Sequence, residues 1–181
     1  MRSSSRNSRK QYRALSGAAV ASLLLGSAVL AAGESHNFVM TAYSDVKGGE
    51  ALANGHYDAA VTQLSHASAD SLSDPGAISN NRCVAFTVTK QWDAARAACD
   101  AAVRDAHYQQ IWGRALTNDY LALALSNRAV LHWMASDTTA AEADLKKAQN
   151  LAPKADFIGR NLAAMHSSQS AVAEVTAASG N

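Results

Sequence analysis

Two cysteines and six histidines are the side chains of this 181-residue sequence that could carry out redox, nucleophilic or metal chemistry. Cys83 and Cys99 lack the Cys-x-x-Cys spacing of a redox site, and two cysteines alone do not make a zinc site. On two antiparallel helices that turn near residues 90 and 91, they would be about equally distant from the turn and face each other. We therefore predict a structural Cys83–Cys99 disulfide, which closes a loop of about 17 residues and is worth about 3 kcal/mol on the chain-entropy model. The alternative is two reduced thiols that fill small core sites.

The histidines and carboxylates show no spacing that is typical of a metal or catalytic site. The histidines lie at positions 36, 56, 66, 107, 132 and 166, without the His-x-x-x-His spacing of paired metal ligands. Glu142 and Asp144 are predicted to share a solvated helix face with Lys146 and Lys147. The P-loop, the dinucleotide fingerprint and the Gly-x-Ser-x-Gly motif are all missing from the sequence. We therefore predict no enzyme activity, no metal and no cofactor.

Three segments share one pattern, which predicts the second helix of a helical hairpin. They are residues 55–60, 90–95 and 136–141. Each has a turn, then an aromatic residue or threonine, and an alanine three positions later, with a larger residue four positions further on and a small residue three positions beyond that. These offsets place the residues on one helical face. The preceding helices also match, because residues 80–86, 126–132 and 160–166 align with one another.

This repeat resembles the tetratricopeptide repeat, a helical hairpin with a period of about 34 residues. The resemblance covers residues 41–166 and is carried by residues 55–60 and 148–153 together with the period. It implies an all-α solenoid of about three helical hairpins, closed by a C-terminal capping helix. The first copy is the weakest, because Gly48 and Gly49 destabilise its opening helix. The expected helices are 45–54, 57–70, 77–89, 92–107, 118–135, 138–151 and 156–167.

The resemblance also implies an inner groove lined by the first helix of each pair. Asn81, Asn127 and Asn161 occupy one repeated site beside it, where they would bond either an extended peptide partner or the loop of the preceding repeat. Trp133 would either anchor a ligand or pack in the core. Since Arg160 is the only suitably charged residue of this predicted groove, we do not expect a clamp for a terminal carboxylate. The predicted partner-binding residues of the groove are Asn81, Asn127, Val130, Trp133, Arg160 and Asn161.

A twelve-residue insertion, at about residues 110–121, interrupts the repeat. Trp112 and Arg114 within it are residue types that often anchor protein interfaces. They are a second candidate partner-binding site, and the alternative is that Trp112 packs on the neighbouring helix pair.

The N-terminal residues 1–33 have the layout of a secretory signal peptide. Five basic residues precede an uncharged stretch, residues 14–33, and residues 1–33 contain no acidic residue. Small residues close this stretch, so cleavage is expected after position 31, 32 or 33. An uncleaved membrane anchor is the alternative. Without the leader, 11 basic and 15 acidic residues remain, a net charge of −4 that does not point to nucleic acid or an anionic membrane. Residues 34–168 would form the repeat domain, and residues 169–181 a disordered tail.

These features together predict a non-catalytic scaffold of a bacterial cell envelope, exported to the periplasm, that binds a protein or peptide through the groove or the insertion. The first alternative is an assembly factor tethered to the inner membrane by an uncleaved leader and facing the periplasm. The second alternative is a small enzyme or metal carrier that uses scattered histidines and aspartates, for which no residue constellation was found.

Overall fold

A computed structural model describes residues 12–16, 38–67, 75–111 and 117–179. Within these residues, two short strands precede a series of helices. The strands are β1 (Tyr12–Ser16) and β2 (Val39–Tyr43). The helices are α1 (Gly49–Ala53), α2 (Tyr57–Ser65), α3 (Pro75–Val88), α4 (Trp92–Ile111), α5 (Thr117–Met134), α6 (Thr138–Leu151) and α7 (Asp156–Ser179). The all-α class is therefore confirmed.

The helices that follow one another in sequence pack side by side. α3 packs on α4, α4 on α5, and α5 on α6, and α2 and α7 close the two ends of this row. Small residues such as Ala95, Ala98 and Ala141 are buried where the helices meet, so that the axes can approach closely. β2 lies across every second helix of the row, where it contacts α3, α5 and α7.

Three helix ends are built alike, at the first residue of each repeated segment. Gly55, Lys90 and Ser136 have φ values of 75°, 59° and 65°. In each case the N–H of this residue donates to the carbonyl three positions back, and the next N–H donates to the carbonyl five positions back. This is the Schellman arrangement, which ends a helix with one left-handed residue. The sequence alignment of the three turns thus coincides with one shared backbone geometry.

The predicted disulfide between Cys83 and Cys99 is confirmed. It joins α3 to α4 with an S–S distance of 2.02 Å and a Cα–Cα distance of 4.5 Å. Both residues are fully buried, which places the bridge inside the core between the two helices.

Two arginines tie the neighbouring helices to the row. Arg82 on α3 donates to the carbonyls of Leu64 and Ala67 at the end of α2. Arg128 on α5 makes a two-pronged ion pair with Asp144 on α6, at 2.7 and 3.0 Å, and this hydrogen-bonded carboxylate raises the pKa of the guanidinium further above its ordinary value. The predicted solvated position of Asp144 is wrong, since only 4% of this residue is exposed.

The first helix and the chain end differ from the predictions. α1 is shorter than the predicted helix 45–54 because Gly48, at φ 76°, and Gly49 form a tight turn out of β2. A Cβ on Gly49 would lie 1.9 Å from the carbonyl oxygen of Tyr43, so only glycine fits there. At the other end, α7 continues as a helix to Ser179. The disordered tail predicted for residues 169–181 is therefore not observed for residues 169–179. The alanines of this segment are the strongest helix formers, and they outweigh the lack of a clear apolar stripe.

The shared turn geometry predicts opposite effects for two reciprocal substitutions. Lys90→Gly should stabilise the fold by about 0.5–1 kcal/mol, because a side chain in the left-handed region costs about 1–2 kcal/mol and the entropy of glycine offsets part of this. Gly55→Lys should destabilise it by a similar amount, and no atom within 4 Å of the added Cβ complicates the comparison. Denaturant unfolding measures both, and shifts of the same sign would contradict a common turn.

Candidate functional site, an asparagine-lined groove

Three buried asparagines lie in a row along the helices that line one face of the fold. Asn81, Asn127 and Asn161 project from α3, α5 and α7, and each is 1% exposed or less. They occupy one position of the repeat, so that stacking of the helices places them side by side. A buried side-chain amide carries one acceptor and two donor hydrogens that need partners.

Each of these asparagines bonds both main-chain groups of one residue in β2. The Oδ1 atoms of Asn161, Asn127 and Asn81 accept from the N–H groups of Val39 (2.7 Å), Thr41 (2.9 Å) and Tyr43 (2.8 Å). Their Nδ2 atoms donate to the carbonyl oxygens of the same residues at 2.9, 2.8 and 2.9 Å. We call this set of six hydrogen bonds the asparagine ladder. Because alternate residues of a strand present their main-chain groups to the same edge, three side chains satisfy one whole edge of β2.

Two of these asparagines are also hydrogen-bonded to the preceding asparagine-bearing helix. In each case, the acceptor is the residue that directly precedes the asparagine of that helix. Asn127 Nδ2 donates its second hydrogen to Asn80 Oδ1 at 2.9 Å, and Asn161 Nδ2 donates to Ser126 Oγ at 3.0 Å. Asn80 Nδ2 in turn donates to the carbonyl oxygen of Thr41. This network fixes the orientation of the amides, since a flipped amide would point its NH2 group at a backbone N–H of β2, which is also a donor.

Aromatic rings enclose both ends of β2. The ring of Trp133 lies 5.5 Å from the ring of Phe38, which directly precedes β2, and the ring of Tyr120 lies 5.9 Å from that of Tyr43. Met40 and Ala42 belong to the apolar cluster that contains Val130, and Tyr43 belongs to a second cluster with Leu123. The two faces of the strand are therefore covered by different parts of the helical row.

The structure brings together most of the predicted groove residues, around an occupant that was not predicted. The three asparagines and Trp133 contact residues 38–43, and Val130 lies in the core beside them. Arg160 is exposed and lines a separate, open cleft with Gln149 and Lys154. Trp112 and Arg114 lie outside the described residues, so their prediction stays untested.

The asparagines were expected to bond either an extended peptide partner or a loop of the chain. They bind an extended backbone, and this backbone is a segment of the same chain. Asn81 Nδ2 makes one extra bond, to the carbonyl oxygen of Lys47 at 3.3 Å, in the turn between β2 and α1. The missed signal was the composition of residues 39–43, where valine, threonine and tyrosine are typical of strands.

One further cleft adjoins this site. It has a volume of about 430 Å³ and lies between the start of α5 and the α6–α7 turn, lined by Leu123, Leu151 and Phe157 with Asp119 and Lys154.

Within the described residues, no group of three or more His, Cys, Asp or Glu side chains is arranged to hold a metal ion. In the same residues, no helix combines the length and apolarity needed to cross a bilayer.

Comparison of the chain with protein-family models, with curated proteins and with solved structures finds no match.

Removing the middle asparagine should destabilise the fold strongly. Asn127→Ala leaves the buried N–H of Thr41 and Oδ1 of Asn80 without their partners, which we expect to cost about 3 kcal/mol. Asn150→Ala, at an exposed position of α6, is the matched control and should change stability by no more than about 0.5 kcal/mol. Denaturant unfolding compares the two, and equal losses would show that the ladder contributes nothing.

The hydroxyl of Thr41 gives a test of the opposite sign. Its Oγ1 is the buried side-chain oxygen or nitrogen that has no hydrogen-bond partner in the described part of the chain. Thr41→Val should stabilise the fold by about 1 kcal/mol, because a methyl group replaces an unsatisfied buried hydroxyl. Thr89→Val is the control, as the hydroxyl of Thr89 donates to the carbonyl of Ala85 at 2.8 Å and its loss should not stabilise. Thermal unfolding of both variants decides, and a destabilised Thr41→Val would mean that the hydroxyl has a partner.

Proposed function

We propose that this protein is a non-catalytic protein-interaction scaffold whose helical row holds an extended polypeptide strand by its main chain. The asparagine ladder is the observation that carries this proposal. Six hydrogen bonds from three helices go to backbone atoms of β2, so the groove recognises the extended conformation and not a particular side-chain sequence. Main-chain bonding of an extended segment is a recurrent way of binding peptides.

The rigidity of the helical row supports a scaffold role. A binding surface made of side chains from three helices keeps its geometry only if the helices are fixed relative to one another. The Cys83–Cys99 disulfide joins α3 to α4, and Arg128 joins α5 to Asp144 on α6. Two of the three asparagines lie close to these links in sequence. Asn81 is two residues before Cys83, and Asn127 directly precedes Arg128.

The three alike turns support the proposal that the chain is a tetratricopeptide-like array. Gly55, Lys90 and Ser136 end their helices with the same hydrogen bonds, at the positions where the sequence repeat aligns. In such arrays each hairpin stacks on its neighbours, and the first helices form a continuous concave surface. The placement of one asparagine per first helix is what such a surface would need to follow a strand.

The disulfide supports export to an oxidising compartment. Structural disulfides persist in secreted and periplasmic proteins and are rare in the cytosol. Together with the leader predicted at residues 1–33, this favours the bacterial periplasm. The membrane-tethered assembly factor remains the alternative, and sequencing the N-terminus of the exported protein separates the two.

Site-specific photo-cross-linking in exporting bacterial cells tests the scaffold. A photoreactive phenylalanine analogue replaces the exposed Asp45, two residues beyond the end of β2, and in a matched control it replaces the exposed Lys147 on α6. We expect a discrete adduct with another protein from position 45 and none from position 147. The Asn127→Ala change should remove this adduct at equal protein levels. No adduct at position 45, or the same adduct from both positions, would contradict a binding surface at β2.

A further inference from the structure

The asparagine ladder uses only one of the two edges of β2. Because main-chain groups alternate along a strand, the N–H and C=O groups of Met40 and Ala42 point to the edge opposite that of Val39, Thr41 and Tyr43. The helices cover the inner edge and both faces, as described above. The outer edge of β2, defined by the main-chain groups of Met40 and Ala42, is the part of the strand to which another strand can add.

β1 occupies this outer edge in the full chain. It pairs with β2 antiparallel over five residues, with Leu15 opposite Met40 and Arg13 opposite Ala42. Since the main-chain groups of Met40 and Ala42 point outward, the pairs Leu15–Met40 and Arg13–Ala42 are the hydrogen-bonded pairs between β1 and β2. β1 lies within residues 1–33, the segment that the sequence predicts to be removed on export.

We propose that the outer edge of β2 is the docking site of the scaffold, that its ligand is an extended segment of a partner protein which adds as an antiparallel strand, and that β1 holds this place until the leader is removed. This inference rests on the proposed function. The ligand needs free N–H groups at the two positions opposite Met40 and Ala42, so proline is excluded there. Loss of β1 leaves those main-chain groups unpaired, and a new strand restores their bonds.

The position of β2 makes such an edge unusually well defined. An isolated strand is not stable in water, and a two-stranded ribbon is marginal. Here the asparagine ladder fixes the conformation of β2 before any partner arrives. A partner strand therefore loses its own conformational freedom on binding, but it does not have to order the strand that it meets.

Residue-resolved hydrogen exchange, measured by NMR on the full chain, tests this proposal. Leu15→Pro removes the N–H that faces β2 and should speed the exchange of the Met40 and Ala42 amides at least tenfold, while the amides of Val39, Thr41 and Tyr43 stay protected. Ala14→Pro is the matched control, because the N–H of Ala14 faces away from β2, and it should have little effect on either set.

A peptide of residues 10–18, added to the Leu15→Pro chain, supplies the strand in trans. At millimolar concentration it should restore protection of Met40 and Ala42. The same peptide N-methylated at its Arg13 and Leu15 positions should not restore it, whereas N-methylation at its Ala14 position should be tolerated.

The outcomes separate the docking site from the scaffold. Strand addition is overturned if Leu15→Pro leaves Met40 and Ala42 protected, if the peptide restores no protection, or if the two methylated peptides act alike. In those cases, continued protection of Val39, Thr41 and Tyr43 would leave the ladder and the proposed function standing. Rapid exchange of these three amides in the unaltered chain would instead remove the ladder, and with it both proposals.

Discussion

The edge of a strand that faces helices has no neighbouring strand to satisfy its main chain, and each buried N–H or C=O group left unpaired there costs about 1–3 kcal/mol. The inner edge of β2 presents six such groups, at Val39, Thr41 and Tyr43. An asparagine side chain is a primary amide, chemically like the peptide group, and it reaches one N–H and one C=O together. Three asparagines therefore replace a strand, and every other feature of the site follows from the need to hold them in a row.

Holding that row constrains the rest of the helical packing. The alanines between helices allow close approach, and the disulfide and Arg128 prevent the helices from sliding. Two asparagines, Asn81 and Asn127, are directly followed by the arginines that tie neighbouring helices together, so one helical turn carries both the groove contact and the support for it. Asn161 is followed by Leu162, so an asparagine and a tying arginine stand side by side at two of the three sites.

The parts of this structure that the sequence predicted are those that depend on local spacing. The hairpins and the cysteine pair are visible within one repeat, because helical periodicity is a short-range signal, and the asparagines are visible once the repeats are aligned. The occupant of the groove was not predicted, because the bond from Asn161 to Val39 spans 122 positions and no local pattern records it. Gly48 and Gly49 show the same limit, since their helix-breaking character was recognised but their role in leading the chain out of β2 depends on contact with Tyr43.

Occupation of the groove by the chain itself favours one of two routes by which the proposed partner could bind. A partner that entered the groove would have to displace β2, which the Gly48–Gly49 turn joins directly to α1 and which therefore competes at the millimolar effective concentration of a short linker. Displacement would also break six buried hydrogen bonds before six new ones form. Addition to the outer edge breaks none of them. Among the described residues, the segment that competes for this edge is β1, whose predicted removal with the leader is irreversible. The same ladder that closes the groove would therefore direct the proposed partner to the other side of the strand.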